Sequence, residues 1–152
     1  LSGFALLNMA TTLYNNFKEL LLNGGIDLDT DTIRALIIDD TTAYTPNIDT
    51  HVYVDDVTAV ASEMSGTGYT RKTLNVTVSQ DNTNDQGVAD ADDLSYTGLN
   101  AGTIQGVLVY KEVTTDADSP VIGWYESGDF PLPTNGGDVT LTINAAGMLT
   151  LG

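Results

Sequence analysis

The sequence predicts a mainly β protein, an antiparallel β-sandwich or barrel of about seven to eight strands with one N-terminal amphipathic helix. Three observations carry that expectation. Of 21 acidic residues 17 are Asp, and they stand beside 22 Thr and 15 Gly, so the chain is rich in residues that make turns, accept positive φ and suit a pleated surface. Short apolar runs with an alternating pattern recur between turn residues. Only one stretch, near the N-terminus, repeats its apolar residues at helical spacing.

The helix is expected from about Thr12 to Asn23, where Leu13, Phe17, Leu20 and Leu21 fall at i, i+4, i+7 and i+8 and share one face. Thr12 is placed to cap its start, and Gly24 to close its end in a left-handed conformation. Past Gly25 the period shortens. Ile26 and Leu28 alternate with Asp27 and Asp29, and Thr32 to Ile38 reads as a strand buried on both faces near its end. Residues 39–65 read as loop with fragments of structure: a Tyr44-Thr45-Pro46-Asn47 turn, a His51-Val52-Tyr53-Val54 run, and one helical turn around Val57 to Val60 capped by Asp55 or Asp56.

Thr70 to Ser79 alternates, with Leu74, Val76 and Val78 on one face, as a half-buried antiparallel strand does. Asp81 to Asp93 is the most polar segment and reads as a long loop. Leu94 to Thr97, Thr103 to Lys111 and Val121 to Glu126 follow as strands, with Pro120 at the entrance of the third, where a missing amide costs no ladder bond. Asp129 to Gly137 is a turn, and Val139 to Ile143 and Met148 to Leu151 are the last strands.

At 152 residues and 16.1 kDa the chain suits one domain, able to hide about 68–70% of its unfolded surface. That domain is expected over residues 9–152, with residues 1–8 as an upstream extension or flexible arm ahead of Met9-Ala10-Thr11-Thr12, which reads like a start of translation. The mildly apolar first residues lack the basic region and the length of a secretory signal. Apolar runs of about four residues are far short of the roughly 20 of a membrane span.

A formal charge of −16 repels phosphate backbones and anionic headgroups, so neither nucleic acid nor a membrane is an expected partner. With 41% hydrophobic residues there is still enough apolar material for a core. The absence of cysteine excludes disulfides, thiolate zinc sites and thiol catalysis.

Candidate chemistry is sparse. Asp81-Asn82-Thr83-Asn84-Asp85-Gln86-Gly87 alternates oxygen ligands before a glycine, which makes Asp81, Asp85 and Asp92 calcium candidates, with Asp90 and Asp93 nearby. The EF-hand pattern fails, because glycine is seventh rather than sixth and the twelfth residue is Asp92 rather than Glu. Asp27, Asp29 and Asp31 offer a second such cluster, and for both a solvated acidic loop is the plainer reading. His51 stands alone, so one chain cannot assemble a multi-histidine metal centre. Ser65-Gly66-Thr67-Gly68-Tyr69 is a turn without a phosphate-binding pattern. Glu112 and Glu126 could oppose each other as a glycosidase pair, although acids at strand ends are common. Tyr69, Tyr110, Trp124 and Tyr125 could form a sugar-stacking surface, with core packing or a subunit interface the simpler role. Arg71-Lys72 is expected to pair with neighbouring acids.

The Lys18-Glu19-Leu20-Leu21 helix, the Gly25-Ile26-Asp27-Leu28-Asp29-Thr30-Asp31-Thr32-Ile33 stretch leading into a strand, and Tyr44-Thr45-Pro46 occur in an order that resembles small virion proteins of tailed bacteriophages. Glu63-Met64-Ser65-Gly66-Thr67-Gly68-Tyr69-Thr70-Arg71-Lys72-Thr73-Leu74 is similar to a glycine-tyrosine turn of the same group. Gly128-Asp129-Phe130 and Gly147-Met148-Leu149-Thr150-Leu151 fit it too, so the resemblance spans nearly the whole chain from Met9.

It implies a capsid decoration (cement) protein or another structural part of the head or tail, and it carries over no catalytic residue. The implied location is the outer surface of the capsid, the implied partner the major capsid protein, and the implied state a homo-oligomer, a trimer being one option. Leu13, Phe17, Tyr69, Arg71 and Trp124 are the interface candidates. A tail or fibre domain binding a host receptor or glycan through Tyr110, Trp124 and Tyr125 is the competing expectation, and a calcium-supported hydrolase the third.

Overall fold

The computed structural model describes residues 3–8 and 12–152; the Met9-Ala10-Thr11 part of the expected translation start lies outside the described residues. The described chain is mainly β. In order it forms β1 (Gly3–Leu6), β2 (Thr12–Leu13), α1 (Asn15–Asn23), β3 (Ile33–Asp39), α2 (Val54–Thr58), β4 (Lys72–Thr73), β5 (Val76–Asp81), β6 (Gln86–Ala91), β7 (Leu94–Tyr96), β8 (Thr103–Lys111), a 3₁₀ turn (Asp116–Asp118), β9 (Val121–Tyr125), β10 (Leu132–Pro133), β11 (Val139–Thr142) and β12 (Leu149–Leu151).

The central sheet runs β2-β9-β8-β3-β4, every neighbouring pair antiparallel, and β10 pairs with the start of β8. Its inner strands are apolar at nearly every position because both faces are covered. On β3, Ile33, Ala35 and Ile37 face one hydrophobic cluster while Leu36 and Ile38 face another. Each of these Ile and Leu side chains contributes roughly 1.5–3 kcal/mol over its exposed state.

The larger cluster is closed by Phe17 of α1 and by two three-stranded sheets, β1-β11-β7 and β12-β6-β5. The second is closed by residues 39–65, which supply Tyr44, Val54, Val57 and Ala61 over Leu108, Tyr110 and Trp124. That stretch, expected as loop, is therefore a cover. Its helical turn lies at Val54–Thr58, slightly earlier than expected, and Asp56 fixes the start by accepting the amides of Val52 and Tyr53, both at 2.9 Å.

Among the described residues no closed barrel forms, since β2 and β4 end the central sheet without joining. The helix begins at Asn15 with Tyr14 at the cap, because Thr12 and Leu13 pair with Trp124 and Gly123 instead. Its end is where the sequence puts it, Gly24 at φ +76° with its amide on the Leu20 carbonyl.

The expected strand Thr70 to Ser79 is broken at Leu74 and Asn75. Leu74 donates its amide to the Ile33 carbonyl, and the chain then leaves the central sheet to begin β5 in another. Much of the expected loop Asp81 to Asp93 is the returning strand β6, in unbroken register with β5 from Val76↔Ala91 to Asp81↔Gln86. Gly3–Leu6, expected within an extension or arm, pairs in parallel with Val139–Thr142.

Candidate functional site

The densest polar cluster surrounds Arg71, next to the short strand β4. Its Nε and Nη2 donate to the two oxygens of Glu63 at 2.8 and 2.6 Å, Nη1 and Nη2 donate to Asp116 at 2.6 and 2.8 Å, and Nη1 also donates to the Tyr110 hydroxyl at 3.2 Å. These bonds occupy all five N–H donors of the guanidinium. Its carbon lies 5.5 Å from the Tyr110 ring centre. The hydrogen bonds to Asp116 and Glu63 hold Arg71 firmly protonated, and the same bond from Arg71 holds the Asp116 carboxyl below the usual carboxylate range.

The network extends inward, for Tyr69 donates its hydroxyl to Glu63 at 2.8 Å and accepts the Ile37 amide at 3.1 Å. Burial, and then the Glu63 charge, push the Tyr69 phenol up. Arg34 joins it by donating to the Arg71 carbonyl at 3.0 Å and pairing with Glu112 at 2.5 Å. Lys72 stands 4.9 Å from the Tyr96 ring centre. The expected pairing with nearby acids is present for Arg71, which keeps no donor for a phosphate, whereas Lys72 stands over the Tyr96 ring instead of a carboxylate.

A second network lies under the cover. Tyr14 and Tyr44 share a hydrogen bond of 2.6 Å, and the Tyr44 hydroxyl lies 2.9 Å from His51 Nδ1, which also accepts the Asn47 amide at 3.2 Å. An Nδ1 that accepts an amide proton carries no proton of its own, so His51 is held as the neutral ring with hydrogen on Nε2. Burial lowers its pKa and the Asp56 charge opposes that shift. Burial pushes the Tyr44 phenol up to about 12. His51 thus fastens a turn of the cover.

The calcium candidates are not brought together. Asp81 closes the β5–β6 turn by accepting the amides of Thr83 and Asn84 and the side chain of Asn84, and Asp85 occupies the turn at φ +53°. Asp92 sits at the other end of the hairpin, accepting from Asn75, six residues or roughly 20 Å of strand away. Asp93 accepts the Ile143 amide, and Asp31 is taken up by the Asp27 amide and Lys111. Among the described residues no group of three or more His, Asp or Glu side chains is arranged to hold a metal ion.

Glu112 and Glu126 do not face each other. Glu126 follows Tyr125, whose partner Val107 is five residues from Glu112, roughly 17 Å along the strand. Glu126 accepts the Trp124 indole N–H at 3.0 Å.

The proposed aromatic surface is absent, because Tyr110, Trp124 and Tyr125 are each 1% exposed. The sheet is covered on both sides, so Trp124 and Tyr125, which alternate along β9, are buried in opposite clusters. For the same reason Phe17 and Trp124, expected at an interface, are core residues. Leu13 is half-buried against the larger core, and Tyr69 and Arg71 are committed to the network above.

Sequence reading missed the apolar side chains that do face solvent: Phe4 on β1, Leu22 on α1, Val78 on β5 and Leu151 on β12. Alternation in β1 sets Phe4 and Leu6 outward against the inward Ala5 and Leu7, and that signal was available. Comparison of the chain with protein-family models, with curated proteins and with solved structures gives no match.

Proposed function

We propose that this chain is a structural virion protein of a tailed bacteriophage, decorating and stabilising the capsid exterior, with the major capsid protein as its partner. In this reading its sheets stack as a sandwich, it assembles as a homo-oligomer with a trimer the first state to look for, and it acts without a catalytic centre of its own. The resemblance of the segments around Gly25 to Ile33 and Glu63 to Leu74 supports it.

The observation that carries it furthest is the fate of the five cations. Arg34, Arg71 and Lys111 are bound to carboxylates within the domain, Lys72 lies over Tyr96, and Lys18 donates to Asn15. The acidic excess is left to solvent, which suits a subunit kept off packaged DNA and turned outward. Many weak contacts repeated over a shell would then gain strength by multivalency.

Mass spectrometry of purified particles, followed by cryo-electron microscopy, tests the reading. Many copies at lattice positions on the shell are expected. A handful of copies at the tail tip would reject decoration in favour of a tail domain. The receptor- or glycan-binding alternative no longer has Tyr110, Trp124 and Tyr125 to work with.

A further inference from the structure

An open groove of about 540 Å³ runs between the end of α1 with its following loop and the sheet β12-β6-β5. Alternation builds one wall, with Ile26 and Leu28 turned inward and Asp27 and Asp29 outward along the mouth. Strand register builds the other. Leu149, Ala89 and Val78 form one row across the sheet, and Leu151 and Gly87 begin the next, so larger apolar side chains flank a middle strand whose residues on these rows are Ala89 and Gly87. Val78 and Leu151 remain 50% and 55% exposed. Half-exposed aliphatic side chains gathered on the walls of one groove are surface that a partner can cover.

We propose that this groove docks an apolar segment of a partner protein that carries lysine or arginine at its flanks. Charge decides the occupant. Among the described residues Asp27 and Asp29 are the only charged ones that line the groove, and the chain around it carries −16. A second copy would bring the same acids to the same mouth, and an anionic amphiphile would meet the same repulsion. A small neutral lipophile gains most where it is 70–90% enclosed, which an open groove does not offer. Basic residues beside an apolar stretch satisfy both the floor and the rim.

The proposal does not depend on where the protein resides, so it and the virion reading can fail separately. The test uses the full chain and two synthetic peptides with the same Leu-Val-Leu-Val centre, one flanked by lysine pairs and one by glutamate pairs. Amide chemical shifts and calorimetry should show the lysine-flanked peptide bound at residues 21–29, 78, 87–89 and 149–151, with affinity at least about tenfold above the glutamate-flanked one and falling with added salt.

Leu151→Ser and Asp29→Lys change exposed side chains on opposite walls. Each should weaken that binding by about fivefold while the melting temperature of the free protein stays put. No binding of the lysine-flanked peptide at millimolar concentration, equal binding of both peptides, or shifts elsewhere would overturn the proposal. So would a dimer by light scattering that Leu151→Ser dissolves, or a neutral apolar dye that displaces the bound peptide from the groove.

Discussion

The indole of Trp124 fills the space that a side chain on Gly106 would need. The two lie on adjacent strands, β9 and β8, and a Cβ built on Gly106 would overlap Cζ2 of the ring and stand 2.9 Å from Cε2. Trp124 in turn meets the edge of the Tyr44 ring, centres 4.8 Å apart and planes at 72°. Glycine in a central strand weakens it, and here the loss is offset by an aromatic packed against bare backbone.

Gly106→Ala is therefore expected to lower stability in urea by about 1–3 kcal/mol, the usual cost of overfilling a core. Gly128→Ala is the control, because nothing lies within 4 Å of a Cβ there, and it should stay within about 0.5 kcal/mol of the parent. Equal effects would mean that the ring moves aside freely.

Arg71→Lys keeps the charge and loses the fork that binds two carboxylates at once. The ion pairs are a quarter to two-fifths exposed, so the loss lies between that of surface and buried pairs, about 2 kcal/mol. Arg71→Met, which leaves Glu63 and Asp116 facing each other, should cost more. Denaturation curves for the lysine variant within about 0.5 kcal/mol of the parent would show the clamp to be incidental.

His51 gives the protein a mild-acid sensitivity. Its folded pKa lies below the ordinary 6.5, so the neutral ring's contribution is fully present above that value and is lost as pH falls through the folded pKa. Protonating Nδ1 removes the acceptor of the Asn47 amide. His51→Asn, with an oxygen where Nδ1 stood, should flatten the fall in melting temperature just below pH 6.5. The steeper loss at lower pH should survive, because it belongs to carboxylates such as Asp116, whose contribution is fully present above the ordinary carboxyl pKa of 3.8 and is lost as pH falls from there through the lowered folded value. A parent melting temperature that does not change from pH 7 to pH 5 would refute the role given to His51.

Tyr125 is wholly enclosed in the larger cluster, and its hydroxyl meets no hydrogen-bond partner among the described residues. Burial accordingly drives the phenol well above its ordinary pKa of 10. Tyr125→Phe removes an unpaired polar atom without opening a cavity and should leave stability unchanged or raise it by about 1 kcal/mol. A loss above about 1 kcal/mol would reveal a partner for that hydroxyl.

Strands β3, β8 and β9 were legible because a run buried on both faces needs only apolar residues and a length. The helix end was legible because Gly24 is the residue that a left-handed cap demands. Strand β6 was hidden by its own composition, since Gln86-Gly87-Val88-Ala89-Asp90-Ala91 has neither a β-branched run nor a clean alternation, and its pairing with β5 supplies what propensity does not. The cover over 39–65 escaped because Val54, Val57 and Ala61, at i, i+3 and i+7, make only one short helical stripe and Tyr44 stands ten residues before it; they share a cluster only once the central sheet is in place. The parallel pairing of Gly3 with Val139 is remote in sequence, and no local pattern announces such a partner. Trp124 and Tyr125 hold the core role that was the simpler expectation, and the sugar-stacking option fell to the same source, a second covered face that alternation alone does not reveal.

Strands β3, β8 and β9 are a party wall between two rooms, with side chains rooted in the same backbone projecting into each. Neither room can be vacated while the other stays furnished. Heat should accordingly empty both together, in one calorimetric peak whose van't Hoff and measured enthalpies agree.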